Sequence, residues 1–443
     1  MATADGTRRF LQRAVERGLL HPANVRHLGQ PQLSCSASGF GAYRVGGGDQ
    51  EVAHGLAMRS ALRAGMNLFD TSSHYSEGSK ASSSSDPASH SSLHGASERL
   101  VGRVIAEAAD AGEASRDELI VCTKLGHVAR GVEPPPGAVS IGTHSGDAGS
   151  DDWHSIEPGF VESEVHASKE RLGTVPDFVL LHNPEYLLSM RLKQKVSIGD
   201  AWDEMYAALT ESFKVLERLC SEGQIASGYG VSSNFLSCSF SNTGRSNVYE
   251  ALVLERVVEA AVAAAKSQGS GQHRMRIAQM PLNAFESGAL LGRGAVVPEA
   301  AEGDCHSAAR LGVSVITNRP LHAIPIPGVS TGDWGRSGDS HLHLREVKPM
   351  GTMPSLVKRV LVEALRDGGV QMEPAPPLQQ VALRLAISAP VSLSLIGARS
   401  ERYVEDVSAV LQAEPFSGDQ VKRAMLAVRT AAEELGCERR GFW

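Results

Sequence analysis

Residues 67–75 read NLFDTSSHY, a short apolar run that ends on an aspartate and leads into a polar segment. Eight short runs of this kind occur along the chain. Their near-continuous apolar character is typical of strands that are buried on both faces of a parallel sheet. The predicted strands cover residues 38–43, 67–70, 119–124, 178–182, 225–232, 277–280, 313–318 and 393–397.

Alanine-rich amphipathic stretches separate these runs and predict helices over residues 51–64, 97–109, 164–172, 213–220, 248–267, 356–367, 378–388 and 402–411. Gly65 and Gly173 follow two of them, where glycine is favoured just beyond a helix C-terminus, and Ser97 is expected to cap the second helix. This alternation predicts a single α/β domain with the (β/α)8 TIM-barrel fold, whose active sites lie at the C-terminal ends of the strands.

The 443 residues of the chain exceed the roughly 250 that are typical of such a barrel. We expect an N-terminal extension at 1–32 and a barrel at 33–443, with insertions at 79–95, 130–158, 183–200 and 325–350. Residues 79–95 and 130–158 are rich in polar and small residues, which cannot bury enough apolar surface to order themselves. The segment 183–200 either covers a substrate pocket or is an ordinary excursion at the barrel rim.

Composition limits the classes of partner. The formal net charge of −7 gives no electrostatic footprint for nucleic acid or an anionic membrane, and no apolar run approaches the roughly 18 residues of a membrane span. The 6 cysteines lack paired spacing and indicate reduced thiols. We expect a cytoplasmic protein with a small-molecule substrate. An organelle transit peptide stays open, because residues 7–20 could form a basic amphipathic helix, and the oligomeric state is open too.

Asp70, Tyr75, Lys124 and His182 lie at or just after the ends of the second, third and fourth runs and should converge. Reduction of a carbonyl leaves an alkoxide that needs a proton, and a free tyrosine with a pKa of about 10 is a poor donor. One ammonium about 4 Å away contributes about 4 kcal/mol, enough to lower the phenol pKa by about two to three units. Asp70 would keep Lys124 charged, and His182 would orient the substrate oxygen.

A second interpretation of the same residues stays open. Asp70 could cap a turn, with Tyr75 on the surface and Lys124 in solvent. His182 could be a polar strand terminus. A Schiff base on Lys124 would make the barrel an aldolase, but a tyrosine five residues after Asp70 argues against that.

Residues 67–78 resemble the aldo-keto reductase signature, in which an aspartate precedes the catalytic tyrosine by five positions. Without residues 79–95 the sequence continues as the family's usually does. Further matches follow in order at residues 123–124, 180–182, 230–235, 279, 319–321 and 396–400. The resemblance implies reduction of an aldehyde or ketone, or the reverse, with Tyr75 as acid-base, Lys124 as its tuner, Asp70 as counter-ion and His182 as orienter.

The resemblance also implies a nicotinamide cofactor, whose carboxamide would be held by Ser232 or Ser233 together with Asn234, and by Gln279. Residues 397–400 precede a helix, so that a phosphate could meet free N–H groups there, and a charged Arg399 favours NADPH over NADH. We expect these contacts at the rim from Gly397, Arg399, Ser400 and Tyr403, with further cofactor contacts from Gly41, Asp70, Arg319 and Leu321. Gln279 could instead be a polar residue bonded inside the barrel.

Two further interpretations of the sequence concern a regulatory function and metal binding. A cofactor-binding regulatory protein with little turnover could be built on the same barrel. We expect no metal site, because the segments 341–343 and 305–306 lack further ligands at metal spacing.

Overall fold

The computed structural model describes residues 1–29, 32–76, 93–129, 132–142, 152–236, 252–292, 303–323, 342–343, 352–372 and 376–434. Eight parallel strands form a closed barrel, as predicted, and the ring closes where the last strand pairs with the first. These strands are β3 (Ser38–Gly41), β4 (Leu68–Asp70), β5 (Ile120–Leu125), β8 (Phe178–His182), β9 (Gly228–Ser232), β10 (Met275–Pro281), β11 (Ser314–Asn318) and β14 (Leu393–Ile396).

Three antiparallel pairs lie outside the barrel. They are β1 (Val25–Leu28) with β2 (Leu33–Ser36), β6 (Val139–Gly142) with β7 (Asp152–His154), and β12 (His322–Ala323) with β13 (Leu342–His343).

Helices follow most of the barrel strands and pack on the outside of the barrel. In the described part of the chain they are α1 (Ala4–Glu16), α2 (Glu51–Arg63), α3 (Ala96–Asp110), α4 (Pro158–Leu172), α5 (Tyr186–Lys193), α6 (Ile198–Ser221), α7 (Leu254–Ser267), α8 (Gly288–Leu291), α9 (Asp304–Leu311), α10 (Thr352–Asp367), α11 (Leu378–Ile387), α12 (Glu401–Gln412) and α13 (Gly418–Glu434). The C-terminal glycines predicted for α2 and α4 both have positive φ, at +92° for Gly65 and +63° for Gly173.

Two helices begin earlier than their apolar periodicity predicts. Helix α6 begins at Ile198 rather than at residue 213, because the side chain of Ser197 accepts the N–H of Asp200 and caps it. Helix α4 begins at Pro158 rather than at residue 164, after an N-cap at Glu157. Capping side chains and an N-terminal proline therefore set these boundaries.

Ser97 does not cap α3, contrary to the prediction. The N-cap residue is Gly95, and Ser97 lies inside the first turn. Its hydroxyl accepts a hydrogen bond from Thr71 Oγ1 at 2.8 Å and donates one to the Ala42 carbonyl at 3.2 Å. Ser97 thus ties the helix to the segments that follow β3 and β4.

Two of the expected insertions contain regular structure. Residues 130–158 include the β6–β7 pair, and 183–200 include α5, so neither is wholly a loop. Most of 79–95 and of 325–350 lies outside the described residues.

The barrel interior changes from apolar to polar along the strand direction. Alternate residues of a strand face the same side, and the inward residues at the N-terminal end form one apolar cluster. That cluster includes Leu68, Ile120, Cys122, Phe178, Leu180, Ile277, Ile316, Leu393 and Leu395. Two positions further along the same strands come the polar side chains of Asp70, Lys124, His182, Gln279 and Asn318. The fold therefore gathers polar groups at the C-terminal mouth.

The β1–β2 hairpin covers the opposite end of the barrel. Leu28, Leu33 and Cys35 join the apolar cluster of the interior. Helix α1 packs beside them and places Phe10 and Leu11 in the main core. The boundary at residue 32 that the sequence suggested falls inside this hairpin, and the segment before it is packed against the barrel.

In the residues that the structure describes, none of the helices is both long and apolar enough to cross a membrane. The four described cysteines, Cys35, Cys122, Cys220 and Cys305, are free thiols.

Candidate active site

Asp70 and Lys124 form a buried ion pair at the mouth of the barrel. Lys124 Nζ lies 2.5 Å from Asp70 Oδ1 and also donates to the Thr71 carbonyl at 2.9 Å. Lys124 and Asp70 are 0% and 2% exposed. Burial lowers the pKa of Lys124, but Asp70, Tyr75 and Cys122 raise that pKa by more, so the net direction is upward. Lys124 is therefore an ammonium at neutral pH.

The second carboxylate oxygen of Asp70 belongs to a chain of hydrogen bonds across the mouth. Gln279 Nε2 donates to Asp70 Oδ2 at 2.8 Å, and Ser232 Oγ donates to Gln279 Oε1 at 2.8 Å. Asn318 Nδ2 lies 3.4 Å from the same Gln279 oxygen. The internal hydrogen bonding considered for Gln279 is therefore present, and it joins Ser232 to the Asp70–Lys124 pair.

Tyr75 packs against this ion pair. The ammonium of Lys124 lies 4.7 Å from the centroid of the Tyr75 ring, and Tyr75 is 9% exposed. Burial raises the pKa of Tyr75 to about 12, since the opposing effect of Lys124 is smaller and Asp70 and Tyr43 add to the rise. This direction is opposite to the acidification predicted from the sequence. That prediction counted the attraction of the ammonium and left out the desolvation of the phenolate.

The ring of His182 lies beside that of Tyr75. The two ring centroids are 5.9 Å apart, and the ring of His74 lies 4.8 Å from that of Tyr75. Burial lowers the pKa of His182 well below its usual range, and His127 and Lys124 lower it further. His182 is therefore a neutral imidazole that can donate one hydrogen bond to a substrate oxygen.

His154, on β7, supports His182 from behind. Its Nε2 donates a hydrogen bond to the carbonyl oxygen of His182 at 2.6 Å. Burial lowers the pKa of His154 to about 4, so it too is neutral. Gly126 leaves room for this contact, because a Cβ there would lie 2.6 Å from the His154 ring nitrogen.

Glu185 is a fully buried acid just after β8. Asn183 Nδ2 donates to its Oε1 at 2.9 Å, and the Ser233 side chain and the Asn234 backbone also bond to the carboxylate. Burial raises the pKa of Glu185 to about 7. The backbone N–H of Ser233 donates to the Gln279 carbonyl at 3.0 Å. Glu185 and Gln279 therefore hold the turn after β9 from two sides.

The remaining predicted cofactor residues lie at the rim. Gly397 and Gly41 adjoin where β14 pairs with β3, and a Cβ on Gly397 would lie 4.0 Å from the Gly41 carbonyl oxygen. Arg399 follows Gly397, Ser400 is the N-cap residue of α12, and Tyr403 lies in its first turn.

Arg319 and Leu321 follow β11. Leu321 is buried in the core, and Arg319 Nη1 lies 3.6 Å from Glu286 Oε1. Arg319 also contributes to the low pKa of His182, so its charge acts on the mouth.

Five residues of the mouth were not identified from the sequence, Tyr43, His74, His127, His154 and Glu185. Tyr43, His127 and Glu185 each come within three residues of the end of a barrel strand, and this position alone could have identified them. His154 carried no such signal, because it lies in a segment expected to be a loop.

The chemical capacity of the mouth follows from these contacts. It holds a protonated phenol, an ammonium beside that phenol and a neutral imidazole whose ring lies 5.9 Å from the ring of the phenol. Such a set can transfer one proton to a substrate oxygen and stabilise the phenolate that remains.

Comparisons with known proteins agree with this fold. Residues 39–239 match the model of the Aldo/keto reductase family. The glycerol dehydrogenase AKR11B4 from Gluconobacter oxydans is similar in structure, with a TM-score of 0.55 and 19% identity over 93% of this chain and 96% of that one. The holo form of the aldo-keto reductase AKR11C1 from Bacillus halodurans has a TM-score of 0.50 and 18% identity over 91% and 96%.

An aldo-keto reductase from Klebsiella pneumoniae, solved in complex with NADPH, has a TM-score of 0.50 and 16% identity over 91% of this chain and 95% of that one. No curated protein matches the sequence of the chain. The family match spans strands β3 to β9 and includes all four residues of the predicted catalytic set. Residues 39–239 therefore form a domain that matches the aldo/keto reductase family, within a barrel that the whole chain completes.

Proposed function

We propose that this protein reduces an aldehyde or ketone to an alcohol with NADPH, or catalyses the reverse reaction. The match of residues 39–239 to the aldo/keto reductase family supports an oxidoreductase activity. The assignment of carbonyl reduction rests on one observation. Asp70, Lys124 and Tyr75 form a buried unit, and His182 lies at its edge. It offers the substrate oxygen both a proton and a hydrogen-bond donor.

The residues beside this unit fit a nicotinamide carboxamide. Asn318 Oδ1 is buried without a hydrogen-bond partner in the described part of the chain, and it lies next to Gln279. A carboxamide donates and accepts, so it suits a pocket of amide and hydroxyl groups. We assign this pocket to Gln279, Asn234 and Ser232 or Ser233, with Asp70 and Arg319 next to it.

The start of α12 fits the phosphate end of the cofactor. The Ser400 side chain makes no capping hydrogen bond within the described residues, and Arg399 precedes it. Free N–H groups at a helix start, together with a guanidinium, favour a doubly charged phosphate. We assign Gly41, Gly397, Arg399 and Ser400 to this end, and Tyr403 to the adenine. The NADPH complex of the Klebsiella pneumoniae protein supports this choice.

When bound, the nicotinamide supplies the hydride. Tyr75, with a pKa of about 12, keeps its proton at neutral pH and can give it to the substrate oxygen. The phenolate that results is stabilised by the Lys124 ammonium, which Asp70 keeps in place. His182 orients the carbonyl toward Tyr75.

The test measures cofactor binding and turnover separately. NADPH is titrated into the purified protein by fluorescence, and NADPH oxidation is then followed with a panel of aldehydes and ketones. Tyr75→Phe should lower kcat at least about 100-fold and leave the NADPH affinity unchanged. Tyr206→Phe, which removes a hydroxyl on α6 that accepts the N–H of Val253, is the control and should keep the rate.

Two outcomes would contradict the proposal. Equal rates for Tyr75→Phe and the unmodified protein would remove Tyr75 as the acid. Tight NADPH binding with no turnover across the panel would favour the cofactor-binding regulatory protein.

A further inference from the structure

Three imidazoles meet at the mouth of the barrel although they are far apart in the sequence. His74 comes from the segment after β4, His127 from the segment after β5 and His182 from the end of β8. One ring nitrogen from each lies within 4.8 Å of the other two. The rings of His74 and His127 are nearly stacked, with centroids 3.9 Å apart and an interplanar angle of 31°.

The hydrogen bonds of Ser72 determine which nitrogen of His74 is available. The Ser72 hydroxyl donates its single proton to the Lys124 carbonyl at 3.0 Å, and it lies 3.0 Å from His74 Nδ1. Ser72 must therefore accept a proton from Nδ1, which leaves Nε2 with its lone pair. Metal-binding histidines are oriented in this way, with the second nitrogen donating to a neighbour.

One ring nitrogen of His182 makes no hydrogen bond within the described part of the chain. Its Nδ1 is buried and has no hydrogen-bond partner in the described part of the chain. Its backbone is fixed, because its carbonyl accepts the hydrogen bond from His154. A buried nitrogen without a partner costs free energy unless a ligand satisfies it.

The charge state of the group suits a cation. His74 Nε2 already carries its lone pair in the tautomer that Ser72 selects, so no proton has to leave this nitrogen before a cation binds. Lys124 and Arg319 act on the group as cations, and each is paired with an acid, Lys124 with Asp70 at 2.5 Å and Arg319 with Glu286 at 3.6 Å.

We propose that His74, His127 and His182 form a binding site for a divalent transition-metal ion such as Zn²⁺. Three imidazoles with an open fourth position are a typical zinc coordination set. A Zn–N distance of about 2.0–2.1 Å places tetrahedral ligands about 3.4 Å apart. The three nitrogens must therefore draw together from their separation of up to 4.8 Å, which needs small rotations of these side chains.

The site has a consequence for the proposed reduction, and this step rests on that function. A metal ion held by His74 and His182 lies beside Tyr75, because the rings of these two histidines are 4.8 and 5.9 Å from the Tyr75 ring. Zn²⁺ should therefore inhibit carbonyl reduction in competition with the carbonyl compound.

The primary test does not depend on activity. Zn²⁺ is titrated calorimetrically into the full chain, and Co²⁺ is added in parallel to record its visible spectrum. We expect one ion per chain and a spectrum of nitrogen coordination without thiolate charge-transfer bands. His74→Phe and His127→Phe keep an aromatic ring in place but remove a ligand, and each should weaken binding at least about tenfold. His166→Ala, which removes an exposed histidine on α4, should change nothing.

Unchanged Zn²⁺ affinity in both phenylalanine variants, with their thermal unfolding preserved, would overturn the metal site. So would a Co²⁺ spectrum dominated by thiolate bands. The Zn²⁺ titration measures binding and not turnover. Its result would therefore stand even if the protein proved not to be a reductase. An active reductase that binds no Zn²⁺ would overturn the metal site alone.

Discussion

His154 Nε2 donates a hydrogen bond of 2.6 Å to the carbonyl oxygen of His182, so that the β6–β7 pair supports the end of barrel strand β8. The contact exists because residue 126 is a glycine with φ of +144°, where a Cβ would lie 2.6 Å from the His154 ring and 2.8 Å from the His182 carbonyl. A segment outside the barrel thus fixes a side chain of the candidate active site.

Gly126→Ala should therefore disturb His182 without touching Tyr75. We expect kcat for carbonyl reduction to fall about 10- to 100-fold, because a small displacement of an orienting group is costly. Steady-state kinetics with a reactive aldehyde provide the measurement. Gly137→Ala is the control, since Gly137 also has positive φ, at +78°, but no atom within 4 Å of a Cβ. Equal losses in the two variants would mean that backbone strain, and not His154, causes the effect.

The Asp70–Lys124 pair should show strong coupling in stability. Asp70→Asn leaves a buried ammonium without its counter-charge and should lower the free energy of unfolding by about 3–5 kcal/mol. Lys124→Met should also destabilise, and the double variant should be more stable than the sum of the two losses predicts. Urea denaturation measures all three. Asp203→Asn removes one side of the exposed Arg256–Asp203 pair and should cost less than about 1 kcal/mol. Additive losses at Asp70 and Lys124 would contradict the coupling.

Glu185 should make the protein less stable as the pH rises from about 4.5 to about 7. Its pKa is raised by burial from 4.5 to about 7, so over this range the folded state keeps a proton that the unfolded state releases. Below this range the two states are equally protonated, and above it the full penalty applies, on the order of 3 kcal/mol.

Glu185→Gln should remove that penalty and stabilise the protein at pH 8 but not at pH 4. Urea denaturation across this range tests the expectation, with Glu405→Gln on the exposed face of α12 as control. A constant difference between Glu185→Gln and the unmodified protein at all pH values would refute it.

Arg399 should discriminate between the two nicotinamide cofactors. If it contacts the extra phosphate of NADPH, Arg399→Ala should raise the Kd for NADPH about 10- to 100-fold and change the Kd for NADH little. Fluorescence titration with each cofactor gives the two constants. Arg423→Ala on α13 is the control for loss of an exposed arginine. A uniform weakening of both cofactors would show that Arg399 has another role.

The barrel was predictable because its strands are buried on both faces. Runs such as 178–182 are therefore apolar up to a polar residue at their end. Each strand can be recognised from its own segment, without knowledge of its neighbours. Helix α1 and the β1–β2 hairpin were not predicted as part of the barrel. Arg8, Arg9 and Arg13 obscure the apolar face of α1, and the role of the hairpin depends on the closed ring that it covers.

Part of the candidate site was predictable from the sequence, and its electrostatics were not. Asp70, Tyr75 and Lys124 were proposed because each lies at or just after the end of a predicted strand. The pKa of Tyr75 was predicted in the wrong direction, since the depth of its burial comes from packing around the ring. The meeting of His74, His127 and His182 depends on three separate segments, and no spacing in the sequence records it.

In the part of the chain that the structure describes, the β1–β2 hairpin closes the N-terminal end of the barrel, opposite the mouth. Leu28 and Leu33 fill its far end, so whatever enters at the mouth also has to leave there. Two reactants that enter through the same opening cannot pass each other. The reactant that binds deeper must therefore bind first and be released last. In the proposed arrangement the nicotinamide lies against Gln279 and the carbonyl lies above it. The cofactor would then bind first and leave last, an order that the β1–β2 hairpin imposes from the opposite end of the barrel.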